Sequence, residues 1–239
     1  MTKLDYAYCS ETGLARGHNE DAVLALSREN AGLFLVADGV GGGASGEVVS
    51  QYIRDGYEQW WRTKFLPSQE SMDFHNALDG IQKILLKMNR ELVQRFGEMN
   101  AGSTLVLLFL YGEKFACVWA GDSRIYRFRG FSAKQITRDD VYRAAGEADR
   151  KQDGKLVSAV GIRTTLEFNA YTDTVRNHDR FFLCSDGVYR YISPAKLRRR
   201  VFWDGSFSSP EQVTNQIGRE VLRNGAGDNY TMIFLKVRN

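Results

Sequence analysis

The sequence predicts an α+β fold in which helices pack on antiparallel sheets. Three observations carry this reading. Strands and helices come in blocks rather than alternating. Apolar strand-length runs end in glycine-containing turns. Two stretches in the first half of the chain carry a helical apolar period. The 239 residues, with no Pro/Ser-rich linker, repeat or low-complexity tract, fit one domain spanning 1–239.

The elements follow in order. About Leu4 to Ala37 reads as strands, and Leu33–Ala37 is a short apolar run closed by a glycine cluster, the pattern of a buried strand. Glu47 to Trp61 then places Val48, Val49, Tyr52, Ile53, Tyr57, Trp60 and Trp61 in a helical apolar pattern. Phe74 to Phe96 repeats apolar residues every three or four positions, a broad stripe that must lie on a sheet or another helix. Thr104–Leu110, Phe115–Ala120 and Arg124–Phe128 read as a meander of hairpins, separated by Tyr111-Gly-Glu113 and Gly121-Asp-Ser123. Arg180–Cys184 is another strand. Ser193-Pro and Ser209-Pro are helix starts, a capping serine followed by proline at the first helical position. Thr231–Val237 closes the chain as an apolar strand.

Composition excludes several classes. Hydrophobic residues are 43% and charged residues 26%, an ordinary globular balance that argues against disorder. A net charge of +3 gives no electrostatic case for nucleic acid or a membrane surface as partner. The one basic run, Lys196–Arg200, reads as a solvated helix face. No apolar stretch approaches the ~18 residues of a membrane span, and the N-terminus lacks the pattern of a signal peptide. Three widely spaced cysteines, Cys9, Cys117 and Cys184, read as reduced thiols of a cytoplasmic protein.

The chemistry lies in the carboxylates. Asp38, Asp122, Asp186 and Asp228 each sit at the end of an apolar run beside glycine or a turn, and Glu20-Asp21 forms a further acidic pair. One Asp-Gly is ordinarily a turn. Four strand-end aspartates converging on a sheet edge would repel one another, and divalent cations remove that conflict. Oxygen-only ligands suit Mg²⁺ or Mn²⁺. Gly39 lets backbone approach closely, so its carbonyl is a candidate ligand. Arg16 is the candidate clamp for the outer oxygens of a phosphoryl group. The histidines receive no catalytic part: His18 shapes a loop, and His75 and His178 are surface residues. Trp60 and Trp61 are core by default. Gly41–Gly43 lacks the Lys-Ser/Thr of a nucleotide loop.

The motifs Arg16-Gly-His-Asn-Glu-Asp21, Val36-Ala-Asp-Gly-Val-Gly-Gly42, Gly102-Ser-Thr104, Ala120-Gly-Asp-Ser-Arg124, Ser185-Asp-Gly187 and Gly227-Asp-Asn-Tyr-Thr231 run in this order along nearly the whole chain. On them the chain resembles the bacterial PP2C-type (PPM) metal-dependent serine/threonine protein phosphatases. The resemblance implies an antiparallel β-sandwich flanked by pairs of helices. It implies two Mn²⁺ or Mg²⁺ ions bridged by Asp38, with Gly39 and Glu20 beside one and Asp186 and Asp228 at the other. It adds a third, weaker ion at Asp122. Arg16 would hold the substrate phosphate, a metal-bridging water would attack phosphorus directly, and Asp21 and Asn229 would orient the ligands from behind. The implied partners are phosphoproteins opposed to a cognate Ser/Thr kinase, and a monomer is the default.

Three positions depart from the family pattern. Val40 stands where many eukaryotic relatives place a histidine. Arg190 stands four residues after Asp186, where the family has an aspartate completing the third metal site, so that site should be weakened or lost. The flap region, about Asp139 to Leu156, is short and polar. Many bacterial members also lack that histidine, so Val40 does not count against activity. Arg190 and the short flap are the only support for the alternative of a catalytically impaired, PP2C-like binding protein, and intact Asp38, Asp186 and Asp228 weigh against it.

Overall fold

The computed structural model describes residues 3–41, 45–142 and 154–238. Its strands are β1 (Lys3–Glu11), β2 (Asp21–Arg28), β3 (Ala31–Val40), β4 (Gly102–Ser103), β5 (Leu105–Tyr111), β6 (Lys114–Ala120), β7 (Arg124–Arg129), β8 (Ser132–Gln135), β9 (Asn169–Thr174), β10 (Arg180–Cys184) and β11 (Tyr230–Arg238). The helices are α1 (Ser45–Trp60), α2 (Leu66–Ser68), α3 (Phe74–Phe96), α4 (Asp186–Tyr189), α5 (Pro194–Arg199), α6 (Gly205–Phe207) and α7 (Pro210–Arg223), with π-helical turns at Trp61–Phe65 and Arg200–Asp204.

Two antiparallel sheets form, β1-β11-β10-β7-β8 and β2-β3-β5-β6-β9, with β4 paired to β3. Strand periodicity explains the layering. On β3, Phe34 and Val36 point into the sandwich and meet Phe181, Leu183, Ile233 and Leu235 of the other sheet. The alternate residues Leu33, Leu35 and Ala37 face outward and are covered by Val49, Ile53 and Tyr57 of α1 and Ile81 and Leu85 of α3. A strand buried on both faces reads as an unbroken apolar run, which is why Leu33–Ala37 shows no alternation. On the far side, Phe182, Cys184, Met232 and Phe234 lie under Leu197 of α5 and Val213, Ile217 and Val221 of α7. The result is the helix-flanked sandwich that the sequence resemblance implies.

The capping signals operate as read. Ser209 caps α7 in a reciprocal box with Gln212, and Ser193 accepts from the Lys196 N–H at 3.4 Å. Asp73 caps α3, accepting from Asn76 N at 2.8 Å.

The structure corrects two details. The third strand of the expected meander leaves its sheet: β5 and β6 form a hairpin, but β7 pairs with β10 and β8 in the opposite sheet. Gly121, at φ +104°, makes this crossing, and a side chain there would strike Thr104. The crossing places Asp122 on the sandwich rim. In addition, β8 and β9 carry largely exposed, polar residues, so hydrophobic patterning did not reveal them. Among the described residues no helix is long and apolar enough to cross a membrane.

Candidate active site

The residues singled out from sequence converge. Arg16, Glu20, Asp38, Gly39, Asp122, Asp186 and Asp228 line one cleft of about 320 Å³ at the end of the sandwich, together with Arg190. Each arrives by its own element. Asp38 lies near the end of β3, Asp122 at the sheet crossing, Asp186 at the start of α4, and Asp228 just before β11. Asp186 thus opens a one-turn helix rather than a simple turn.

Asp38 and Asp21 are register partners across β2 and β3, two carboxylates directly opposed on neighbouring strands. Like charges in that relation are destabilising. Burial pushes Asp38 well above the usual carboxylate range, and the charges of Asp21, Asp186, Asp122 and Asp228 push it the same way. Burial raises Asp21 to about 7, against the lowering effect of its hydroxyl hydrogen bonds. Its Oδ2 accepts from Ser185 Oγ at 2.9 Å, while Oδ1 is buried without a partner. Asp186 is raised to about 6, burial first, with the Arg190 guanidinium opposing. Asp122 is also raised by burial, against its Tyr189 hydrogen bond and Arg190.

Two arginines hold parts of this cluster. Arg16 NH2 lies 2.8 and 3.0 Å from the two oxygens of Asp228. Arg190 NH2 lies 3.0 Å from Asp186 Oδ2 and 3.7 Å from Asp122 Oδ2. Among the described residues, no three acidic, histidine or cysteine side chains close on a common point as a finished metal cage. The carboxylates share the cleft while Arg16 and Arg190 engage two of them.

The surrounding backbone is built for close approach. A Cβ at Gly39 would collide with the carbonyl of Gly46 and lie 2.7 Å from that of Glu20, so only glycine brings these segments together. Gly187 is equally constrained by the Asn229 carbonyl, where the Ser185-Asp-Gly187 and Gly227-Asp-Asn229 segments cross. Asn229 ties the N-terminal loop in place. Its Oδ1 accepts from Glu20 N at 2.9 Å, and its Nδ2 donates to the carbonyls of Thr12 and His18 at 2.8 and 2.9 Å. His18 meets Glu20 at 3.4 Å, in keeping with a loop-shaping part.

Sequence reasoning missed a supporting set behind Asp38 and Asp122. Asp38 N donates to Thr104 Oγ1 at 3.1 Å, and the Asp38 carbonyl accepts from Thr104 N and Ser103 Oγ at 2.8 and 3.0 Å. Thr104 Oγ1 lies 2.8 Å from Ser123 Oγ, which links two of the motifs. Tyr189 OH donates toward Asp122, 3.1 Å from its carbonyl and 3.2 Å from Oδ2. Arg124 stacks 3.6 Å from the Tyr189 ring while holding Asp139 through two bonds of 3.0 and 2.7 Å. The signal for Tyr189 was its place within Ser185–Arg190, three residues after Asp186. Of the flap region, Asp140 and Tyr142 bond to Val157 and Lys155, and residues 143–153 lie outside the described residues, as do Gly42 and Gly43 of the glycine run.

Among the described residues, the five carboxylates lining the cleft outnumber its two guanidiniums by three. Two divalent cations would turn that deficit into a slight positive excess, which suits a phosphate dianion. The Asp21–Asp38 opposition, the partnerless buried Asp21 oxygen and the all-oxygen donor set fit hard cations.

Fold and site together define a carboxylate-lined hydrolase centre on the rim of a helix-flanked β-sandwich. The family model for Protein phosphatase 2C matches residues 15–224, and the chain belongs to that family. It is therefore an enzyme of the metal-dependent protein serine/threonine phosphatase class, which works with Mn²⁺ or Mg²⁺. Among solved structures it is similar to PppA, a regulatory component of T6SS in Pseudomonas aeruginosa, at 32% identity, covering 99% of this chain and 100% of that one, with a TM-score of 0.82. It is also similar to the catalytic domain of serine/threonine protein phosphatase PstP in complex with two manganese ions, at 25% identity and TM-score 0.82, with both chains fully covered. Against the whole PstP of Mycobacterium tuberculosis, identity is 27% and the alignment takes in 98% of this chain but 45% of the relative's length. The Listeria monocytogenes phosphatase Stp is 25% identical over 79% of each chain.

Proposed function

We propose that the 239 residues form one catalytic domain that hydrolyses phosphoserine and phosphothreonine in proteins, with the cleft residues in the following parts. Asp38, together with Glu20 and the Gly39 carbonyl on one side and Asp186 and Asp228 on the other, would hold two cations. When bound, the ions supply an activated water nucleophile and charge stabilisation of the phosphoryl oxygens. Arg16 exchanges part of its contact with Asp228 for two oxygens of the substrate phosphate, keeping the phosphorus in line with the attacking position. Asp21 and Asn229 hold the first set of ligands in place. The observation that carries this reading is the opposed Asp21–Asp38 pair, Asp21 buried and Asp38 partly so, near three further carboxylates.

Arg190 changes the Asp122 end. Its guanidinium lies against both Asp122 and Asp186, so it supplies the positive charge there and disfavours a third cation. Val40, on the cleft wall, offers no proton, so the leaving alkoxide takes its proton from water. The protein acts as a cytoplasmic monomer on targets of a cognate kinase, and its likeness to PppA favours a regulatory target in a secretion system.

The test is hydrolysis of p-nitrophenyl phosphate and of a phosphothreonine peptide with Mn²⁺, Mg²⁺ or EDTA. Turnover that needs either metal and stops with EDTA supports the reading. No turnover of either substrate under any metal refutes it.

A further inference from the structure

The pole of the sandwich opposite the cleft carries an unresolved charge of the other sign. Arg180 begins β10 and Lys236 lies near the end of β11, and the two are direct register partners. Cations directly opposed on neighbouring strands destabilise a sheet unless something neutralises them. Neither side chain has a carboxylate within ion-pair distance among the described residues. Arg180 donates to the carbonyls of Val201 and Phe202 at 3.3 and 2.6 Å, and Lys236 Nζ donates to the Ser208 carbonyl at 2.5 Å. Lys236 is only 7% exposed. Burial lowers both groups, and Lys236 is lowered further by Arg238 and Arg180, against the opposing charges of Asp5 and Glu211.

These two cations line a cavity of about 540 Å³ with His178, Ser206 and Arg238. Arg238 is shared with Asp5 at 2.8 Å. None of the described lining residues is acidic. An exposed aromatic rim adjoins the cavity. The Arg180 guanidinium lies 5.5 Å from the Phe202 ring, which meets Phe131 at 6.0 Å and Trp203 at 5.2 Å. Phe131 is 85% exposed and Phe207 89%. A simple ion needs no such rim, whereas a peptide that carries an anionic group can use both.

We propose that this cavity is a second anion site, which docks a phosphorylated segment of the protein substrate away from the catalytic cleft. The proposal rests on the phosphoprotein phosphatase reading above. Arg180 and Asp186 lie at opposite ends of β10, so the two sites are separated by roughly 20 Å at strand rise. A substrate with two phosphates about ten residues apart can span that distance. Anchoring one phosphate raises the effective concentration of the other at the cleft.

The experiment compares a singly phosphorylated peptide with one carrying a second phosphothreonine ten residues away, using the Mn²⁺-loaded enzyme. The expected result is a KM about tenfold lower for the doubly phosphorylated peptide. The double variant Arg180→Gln/Lys236→Met removes that advantage while leaving p-nitrophenyl phosphate turnover unchanged. Phe207→Ser, at an exposed side chain that cannot disturb the core, reduces the advantage in part. Equal KM values for the two peptides with the unaltered enzyme overturn the proposal. So does an advantage that persists in the double variant, or binding to phosphatidylglycerol vesicles with no peptide preference. Failure of the activity reading is read separately, as absent turnover of p-nitrophenyl phosphate. In that event, titration of the doubly phosphorylated peptide against the Trp203 indole NMR signal still decides the site: a shift lost in the double variant supports it, and no shift refutes it.

Discussion

Replacing Arg190 by aspartate should create a cation site that the native chain lacks. The guanidinium nitrogen is 3.0 Å from Asp186 and 3.7 Å from Asp122. Even with the full screening of water, charges at those distances interact by about 1.4 and about 1.1 kcal/mol. Arg190 is 57% exposed, so we keep that high-dielectric value and discount it further for side-chain mobility. About 1.4 kcal/mol then remains, a factor of about ten in cation affinity for Arg190→Ala. Arg190→Asp goes further, because it replaces a repelling charge with a third carboxylate beside Asp122 and Asp186. Calorimetric titration with Mn²⁺ should therefore show one more equivalent bound by Arg190→Asp than by the native enzyme. The pH profile gives an independent reading. Arg190 lowers the carboxyls of both Asp122 and Asp186, so its removal should move the acid limb of activity to higher pH. If folded Arg190→Asp binds Mn²⁺ with the native stoichiometry and affinity, the guanidinium is not what governs the Asp122 end, and the reasoning fails.

Asp38→Asn should leave the sandwich folded and lower activity at least about 10²-fold, since several kcal/mol of charge stabilisation goes with the bridging carboxylate; near-native turnover would count against the site assignment. The metal-free protein should lose stability as pH rises from about 4 to about 7. Asp21 and Asp186 bind protons more tightly folded than unfolded there, having been raised from 3.8 to about 7 and about 6, so the unfolded state binds fewer protons. Thermal melts at pH 5 and pH 8 check the sign, and Mn²⁺ should restore stability mainly at the higher pH. Gly187→Ala drives a methyl into the Asn229 carbonyl and should cost at least about 1–3 kcal/mol, together with the Asp186–Asp228 geometry, read by denaturant unfolding and turnover. Leu85→Ala, in the apolar seam between α3 and its sheet, should cost about 2–5 kcal/mol of stability with little change in Mn²⁺ affinity.

What was legible in the sequence was whatever a single element expresses locally. The stripe of α3, the capped starts at Ser193 and Ser209, and the doubly buried run of β3 each follow from residues adjacent in the chain. The carboxylates were legible because glycine or a turn beside a strand-end aspartate is a local pattern repeated four times. Contacts between distant segments were not. Thr104 and Ser123 meet behind Asp38, and Tyr189 reaches back to Asp122 across 67 positions, pairings that no periodicity encodes. The crossing at Gly121 was hidden for a related reason. A short turn between two apolar runs looks the same whether the second strand stays in its sheet or joins the next. The polar edge strands β8 and β9 had no apolar pattern to betray them.

Arg190 and Arg180 illustrate why charge must be judged by place rather than by total. A net charge of +3 hides a cleft with, among the described residues, an acidic excess of three at one end of β10 and a basic cavity at the other. Each pole contains a directly opposed like-charge pair, Asp21–Asp38 and Arg180–Lys236. Neither opposition stabilises the fold. Three apolar layers between the poles supply the burial that tolerates both. Each would be relieved by a ligand of the opposite sign: divalent cations at the first, and at the second the phosphate of the docked substrate. A phosphoprotein substrate would then engage both poles at once, its reacting phosphate among the cations of the cleft and its second phosphate among the protein's own.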